Sequence, residues 1–349
     1  MPTTKMTVFN LWAPQSRLET TTNVGGLFFK FKRQISPGRH AAVGQSINRS
    51  IDQSVNRYFE FLCKATKRQP QRMGLALAFD SAAWLPSNKA KVWFEVFSFL
   101  YSFTWITWVL CILVPFSLYE NLGEWGYMCI GLGAAVPCVA IPYFFECPQD
   151  ARKPFWEKYW VKAQLWIAVF SFVGNYVWTH YFYKLLGAAY TFPAHRLNDV
   201  PITLYLMTHA YFVFYHAISN MCIRRVRNAT KRYGGSAQNV AEAVVVFFLS
   251  YATAYGETLT ISHFPYYTFV DRGRMYTVGS LFYAIYFFVS FPMFFRMDEG
   301  TRAASKYSAW RAVVDSLAAS MLVTLLLDFW RLAIGALDGD VVSGLPWLS

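Results

Sequence analysis

The sequence predicts an all-α, polytopic membrane protein: a bundle of about seven transmembrane helices with its N-terminus in the cytosol. Three observations support this fold class. The chain is 55% hydrophobic and only 15% charged, whereas soluble domains carry about 25% charged residues. Apolar stretches of about 20 residues, the length of helix that crosses a bilayer, recur along the chain. Basic residues also alternate between the connections that join these stretches.

The predicted spans are seven apolar stretches. Five of them contain no Asp, Glu, Lys or Arg, the fifth in order is interrupted only by Glu257, and the seventh carries charges only near its ends. The spans are residues 96–119, 125–145, 163–183, 200–223, 243–270, 275–295 and 312–335.

The charges of the connections set the orientation. The connections after spans two, four and six carry four, five and four Lys or Arg residues, whereas those after spans one, three and five carry none, two and two. Cytosolic loops of membrane proteins are enriched in Lys and Arg, so the N-terminus is predicted to be cytosolic. The alternation requires residues 243–270 to cross the membrane once.

The remaining segments flank this bundle. Residues 1–72 hold 12 Lys or Arg against three acids. We interpret them as a basic extension that is disordered, or that precedes a start at Met73; an organelle transit peptide is the alternative. Residues 73–95 form a lead-in, 96–335 the helical bundle and 336–349 a tail. Because the basic excess lies mainly in the extension, we expect no nucleic-acid binding by the folded part.

The fifth span is longer than one crossing requires. Pro265 disfavours a helical conformation at the residue before it. We therefore expect a helix over about residues 240–262, followed by an irregular or interfacial passage over residues 263–271.

Polar side chains recur at helical spacing in spans three, four and five, so each of these helices presents a polar stripe. Glu257 is the most informative, because a carboxyl group in the bilayer costs about 2.5–3.5 kcal/mol or more and marks a functional site by default. The candidates in the other two spans are Asn175, Tyr176, His180, Tyr205, His209, His216 and Asn220.

Alternatives to a functional role remain open. Polar side chains often join membrane helices by hydrogen bonds, and Glu257 itself could be a buried carboxyl group satisfied by Tyr or His. His209 and His216 lie about 10.5 Å apart along a helix and so cannot bind one metal ion together. The six scattered cysteines and the lack of nucleotide-binding or hydrolase motifs indicate neither a disulfide framework nor a cofactor. The chemistry that these residues still allow is acid–base catalysis in a pocket shielded from water.

Several long, aromatic-rich motifs resemble the cycloeucalenol cycloisomerases, the cyclopropylsterol isomerases of plant-type sterol synthesis. The resemblance covers about residues 83–349; residues 1–72 have no counterpart, and His263 stands where the family is expected to have Asn. The motifs are KYWVKAQLW at 158–166, VGNYVWTHYF at 173–182, AYTFP at 189–193, FPYY at 264–267, FVDR at 269–272, FYAIYF at 282–287, SFPMFFRMDE at 290–299 and SGLPW at 343–347.

The resemblance implies a redox-neutral isomerisation without a cofactor, in which the 9β,19-cyclopropane ring of cycloeucalenol opens to give obtusifoliol. An acid protonates C19, cationic character develops at C9, and a base removes the C8 proton. Burial favours the neutral form of a carboxyl group, so Glu257 is expected to be the acid. His209 or His216 is expected to be the base or a relay.

The other candidates are expected to orient the substrate or the catalytic groups: Asn220, His180, Asn175, Tyr176 and Tyr205. The expected partners are a sterol and the lipid bilayer, with the endoplasmic reticulum membrane as location. The oligomeric state is left open. A non-catalytic sterol-binding protein and a transporter-like protein are the alternative functions.

Overall fold

The computed structural model describes residues 81–261, 264–299 and 307–334. The predictions for residues 1–72, for His263 and for the tail at 336–349 lie outside these residues. Within them the chain is almost entirely helical, and its two small sheets have two strands each. The predicted all-α class is therefore confirmed.

Eight helices of eight or more residues occur in the described ranges. They are α1 (Lys89–Trp108), α2 (Glu124–Phe144), α3 (Tyr159–Val173), α4 (Thr179–Leu186), α5 (Ile202–Thr230), α6 (Gly235–Ile261), α7 (Ser280–Phe295) and α8 (Ala309–Ile334). Shorter helical turns lie at Ser81–Trp84, Leu118–Asn121, Pro148–Ala151, Phe155–Glu157, Lys231–Tyr233 and Arg272–Arg274.

Three π-helical turns extend or join these helices. Val109–Leu113 continues α1, Gly174–Trp178 joins α3 to α4, and Met275–Gly279 leads into α7. Their hydrogen bonds run from residue i to residue i+5, so each turn is wider than a turn of α-helix.

Two short antiparallel ladders lie between the helices. Strand β1 (Ala189–Tyr190) pairs with β4 (Tyr267–Thr268), with Tyr190 opposite Tyr267. Strand β2 (Arg196–Leu197) pairs with β3 (Val200–Pro201). Asn198 and Asp199 connect β2 to β3, and both have positive φ, as a two-residue type I′ hairpin turn requires.

Five of the helical segments in the described residues are long and apolar enough to cross a membrane. They are Lys89–Leu113, Glu124–Phe144, Gly235–Ile261, Arg272–Phe295 and Ala309–Ala333. Large apolar side chains such as Phe103, Phe248 and Phe329 are exposed on α1, α6 and α8. An apolar outer surface of this kind suits contact with lipid, and the protein is a multi-pass membrane protein.

The count of seven spans stays a prediction. The two further candidates are α5, of 29 residues, and α3 continued through its π turn into α4. Both occupy the interior of the bundle: α5 packs against α1, α2, α3, α6 and α7, while α3 is covered by α8. A helix surrounded by other helices can carry polar residues, and these lower its apparent hydropathy.

Two helices begin earlier than their apolar stretches do. The Asn88 side chain accepts a hydrogen bond from the Ala90 N–H, so α1 begins at Lys89 within the predicted lead-in. Helix α6 begins at Gly235, directly after Gly234 with its φ of 91°. The first turns of both helices are polar, so hydropathy alone places the boundaries too late.

A cluster of four charges joins α1, α5 and the end of α7, close to the predicted cytosolic face. Arg224 makes bidentate hydrogen bonds to Glu95, at 2.9 and 3.0 Å, and to Glu299, at 2.6 and 2.8 Å. Lys91 Nζ lies 2.8 Å from Glu299 and also donates to the carbonyl oxygens of Phe295 and Met297. We call Lys91, Glu95, Arg224 and Glu299 the ion cluster.

Glu299, at the outer edge of the ion cluster, remains ionised. Burial acts to raise the pKa of Glu299, but the hydrogen bonds from Arg224 and the charge of Lys91 outweigh burial and hold that pKa below its usual value. Glu299 is therefore a carboxylate at neutral pH, paired with both cations.

Removing one member of the ion cluster should destabilise the fold strongly. Replacing Arg224→Leu leaves the buried Glu95 and the partly buried Glu299 without their main partner, and we expect the free energy of unfolding to fall by about 3–5 kcal/mol. Thermal unfolding in detergent measures this change. Arg152→Leu, at an exposed position, is the control, and equal losses in the two variants would contradict a special role for the cluster.

Candidate functional site

A cavity of about 260 Å³ lies between the helices at the opposite end of α5 from the ion cluster. Its walls come from the π turn after α1, from α2, from the π turn between α3 and α4, and from α4, α5, α6 and α7. The lining is mainly aliphatic and aromatic, with seven tyrosines, several threonines and Asn175 among the described residues. An apolar cavity with a few polar groups is the usual form of a small-molecule site.

Glu257 of α6 lines this cavity. The hydroxyl groups of Tyr215 on α5 and Tyr283 on α7 both donate hydrogen bonds to its Oε2, each at 2.9 Å. One carboxyl oxygen therefore connects three helices. Tyr215, which is not part of the polar stripe predicted in span four, thus links α5 to Glu257.

The second carboxyl oxygen of Glu257, Oε1, differs from Oε2 in its hydrogen bonds. In residues 81–261, 264–299 and 307–334, no donor lies within hydrogen-bond distance of Oε1, and no Lys, Arg or His forms an ion pair with the carboxyl group. The lining contains no Lys, Arg or His in these ranges either. Because an unpaired charge is costly in an apolar interior, this environment favours the neutral carboxylic acid.

Aromatic rings surround the carboxyl group. The ring of Tyr283 lies 4.9 Å from that of Tyr286 and 6.0 Å from that of Phe182. Tyr190 of β1 stacks on Tyr267 of β4 at 4.5 Å, so the small β1–β4 ladder covers one side of the cavity. Aromatic faces attract cations and contribute about 0.5–2 kcal/mol each.

Each of the three π turns contributes to the wall of the cavity. Val109, Leu110 and Leu113 come from the first, Gly174 and Asn175 from the second, and Met275 from the third. Wide turns of this kind occur frequently at functional sites. Here they occur where the helices diverge around the cavity.

The two histidines predicted as base or relay do not line the cavity. His216 is fully buried: its Nδ1 lies 2.7 Å from the carbonyl oxygen of Phe212, and its Nε2 lies 3.0 Å from Ser290 Oγ. Trp166 and Phe294 pack against its ring. His209 faces α3, where its Nε2 lies 2.6 Å from Gln164 Oε1. Both rings join helices in the structure.

Of the eight candidate site residues, the structure brings only Glu257 and Asn175 to the cavity wall. Asn175 donates to the Ser171 carbonyl oxygen and accepts from Thr208 at 3.4 Å. Asn220 lies at the ion cluster instead, where it donates to Glu95 at 2.9 Å. It is placed there because α5 is long enough to run from the cavity to the cluster.

The three remaining candidates lie at the edge of the bundle. The Tyr205 hydroxyl donates to the Leu197 carbonyl oxygen at 3.0 Å, and the Tyr176 carbonyl oxygen accepts from Asn198 at 2.7 Å. His180 is buried beside Tyr183, with ring centroids 5.6 Å apart. All three thus support the β2–β3 hairpin region and the end of α4, outside the cavity.

No group of three or more His, Cys, Asp or Glu side chains in the described part of the chain could hold a metal ion. Asp328 forms an ion pair with Arg331, three residues further along α8, at 2.8 Å.

Sequence reasoning missed Tyr215 and Tyr283, the two residues that hold Glu257. Tyr215 directly precedes His216, and Tyr283 lies in an aromatic run in which no single residue stands out. The ion cluster did leave a signal: Lys91 and Glu95 are four residues apart, a spacing typical of helical ion pairs, in the predicted lead-in just before the first span.

The comparison with known proteins points to the same family as the sequence motifs. The chain is 49% identical over 272 residues to the cycloeucalenol cycloisomerase of Arabidopsis thaliana, an alignment that covers 76% of this chain and 96% of that protein. This similarity confirms the predicted resemblance. No family model matches the chain, and no solved structure matches it.

The hydrogen bond between Tyr283 and Glu257 should appear as a coupling energy. We expect Tyr283→Phe to lower the free energy of unfolding by about 1 kcal/mol in the parent protein, because it removes a buried hydrogen bond. In a Glu257→Leu background the same change should cost close to nothing. Equal costs in the two backgrounds, measured by thermal unfolding, would show that the pair does not interact.

Proposed function

Since the chain belongs to the cycloeucalenol cycloisomerase family, we propose that it is an isomerase of sterol biosynthesis that opens the 9β,19-cyclopropane ring of cycloeucalenol to give obtusifoliol. The observation that supports this reaction best is Glu257, a carboxyl group without a cationic partner among the described residues, in an apolar cavity. A cyclopropane is a very weak base. Its protonation requires an acid that is neutral at physiological pH and shielded from water.

In this proposal Glu257 is the acid that protonates C19. Tyr215 and Tyr283 hold its Oε2 from two helices, and the aromatic rings beside it face the position where positive charge develops at C9. General acid catalysis by a positioned side chain contributes about 10²–10⁴-fold to a rate. Electrostatic stabilisation by the rings adds to this contribution.

Asn175 is the one predicted orienting residue that lines the cavity, and its amide is held by Ser171 and Thr208. The sequence alone predicts His209 or His216 as the base, but neither residue lines the described cavity. The multi-pass bundle suits a substrate dissolved in the bilayer. We propose the endoplasmic reticulum membrane as the location.

Glu257→Gln should lower kcat for cycloeucalenol by about 10²–10⁴-fold, because an amide cannot donate the proton in place of a carboxylic acid. The assay measures obtusifoliol formed by membranes that contain the expressed protein, without NADPH or oxygen. Glu242→Gln is a matched control, since Glu242 lies on the same helix but pairs with Arg227 at 2.7 Å, outside the cavity. Near-normal turnover by Glu257→Gln at equal expression would refute the acid assignment.

The origin of the hydrogen that is added to C19 gives a second test of the proposed protonation. Under single-turnover conditions in D₂O, with enzyme in excess over cycloeucalenol, we expect one deuterium in the C19 methyl group of the product, because the acid exchanges with solvent before the substrate binds. Mass spectrometry and NMR of the product measure it. A C19 methyl group without deuterium would rule out protonation by a solvent-exchanged acid.

A further inference from the structure

Among the described residues, the cavity wall holds an acid but no separate base. Its wall in the described residues contains one carboxyl group, seven tyrosines, and no histidine, lysine or arginine. A tyrosine hydroxyl has a pKa of about 10 in its ordinary environment, so it is neutral at physiological pH and a poor proton acceptor. The second half of the reaction nevertheless requires a group that takes the C8 proton.

The two histidines are held away from this wall. Both ring nitrogens of His216 have partners, Phe212 O at 2.7 Å and Ser290 Oγ at 3.0 Å, and aromatic rings pack around it. His209 points towards Gln164 on α3 at 2.6 Å. Neither residue belongs to the described cavity wall.

The two carboxyl oxygens of Glu257 differ in their hydrogen bonds. Tyr215 and Tyr283 both donate to Oε2, whereas among the described residues Oε1 has no hydrogen-bond partner. In the neutral acid the proton is therefore expected on Oε1, because Oε2 accepts from the two hydroxyl groups.

We propose that Glu257 is both the acid and the base of the isomerisation, a proposal that rests on the function proposed above. The Glu257 O–H bond breaks, and its proton forms a C19–H bond with the electron pair of the C9–C19 bond, which leaves C9 cationic. The C8–H bond then breaks, and its electron pair forms the C8–C9 double bond. The proton returns to the Glu257 carboxylate, so the acid is regenerated without a co-reactant.

The geometry of the substrate suits a single catalytic group. C8 and C19 are both bonded to C9, and in the steroid nucleus C19 and the hydrogen at C8 lie on the same β face. A carboxyl group on that face reaches both positions with little movement. As a carboxylate between the two steps, it also stabilises the cation at C9 until it removes the proton.

The pH dependence of the unaltered enzyme tests this proposal without any substitution. A single group that must begin protonated gives a kcat/KM for cycloeucalenol that is constant at low pH and falls on one side only, towards high pH. A separate base would add a second fall on the acid side, and that bell shape would overturn the proposal. Incubation at each pH followed by assay at neutral pH controls for inactivation.

Substitution of His209 and His216 provides a second test of the proposal that Glu257 is both acid and base. We expect His209→Gln and His216→Gln to keep kcat within about tenfold of the parent, whereas Glu257→Gln loses about 10²–10⁴-fold. A loss of 10²-fold or more in either histidine variant, at normal expression and normal sterol binding, would overturn the proposal but leave the isomerase function intact. No conversion of cycloeucalenol by the parent protein would refute the proposed function itself. If His216→Gln does not fold, the pH profile of the parent decides.

Discussion

A charge inside a membrane bundle must be paired or neutral, and this constraint divides the structure into two ends. At one end, Lys91 and Arg224 are matched by Glu95 and Glu299, so that α1, α5 and the end of α7 are joined by ion pairs. At the other end, Glu257 has only hydroxyl groups as partners among the described residues. The first end joins helices by ion pairs, and at the second the acid proposed above lies in a mainly apolar cavity.

Local signals in the sequence were sufficient for the fold class and for singling out Glu257, which lines the cavity near the end of α6. Hydropathy and span length are properties of residues that are neighbours in the sequence. The bounds of most helices were therefore predicted to within a few residues. The candidate site was harder because it depends on which helix faces which. The stripe on α5 from Tyr205 to Asn220 extends about 22 Å, and therefore passes from the edge of the cavity to the ion cluster. Sequence spacing alone could not show that Tyr215, a neighbour of the stripe, is the residue of α5 that meets Glu257.

Tyrosine is well suited to the reactive end. Its hydroxyl group can hold a carboxyl oxygen without bringing a charge, and its ring can face a developing cation. A lysine or arginine in the place of Tyr215 or Tyr283 would ionise Glu257 and remove its proton from use. The abundance of aromatic residues, which weakens every sequence signal in this chain, thus has a chemical reason at the cavity.

The π turns have a consequence for how such cavities change in evolution. A turn closed from i to i+5 holds one residue more than an α-helical turn, and a π turn in each of three segments supplies part of the wall. Deleting one residue from such a turn would restore a regular helix and narrow the cavity from that side. Gain or loss of single residues at these positions is therefore a direct route to a different ring size or substituent pattern in the ligand, with the remainder of the bundle preserved.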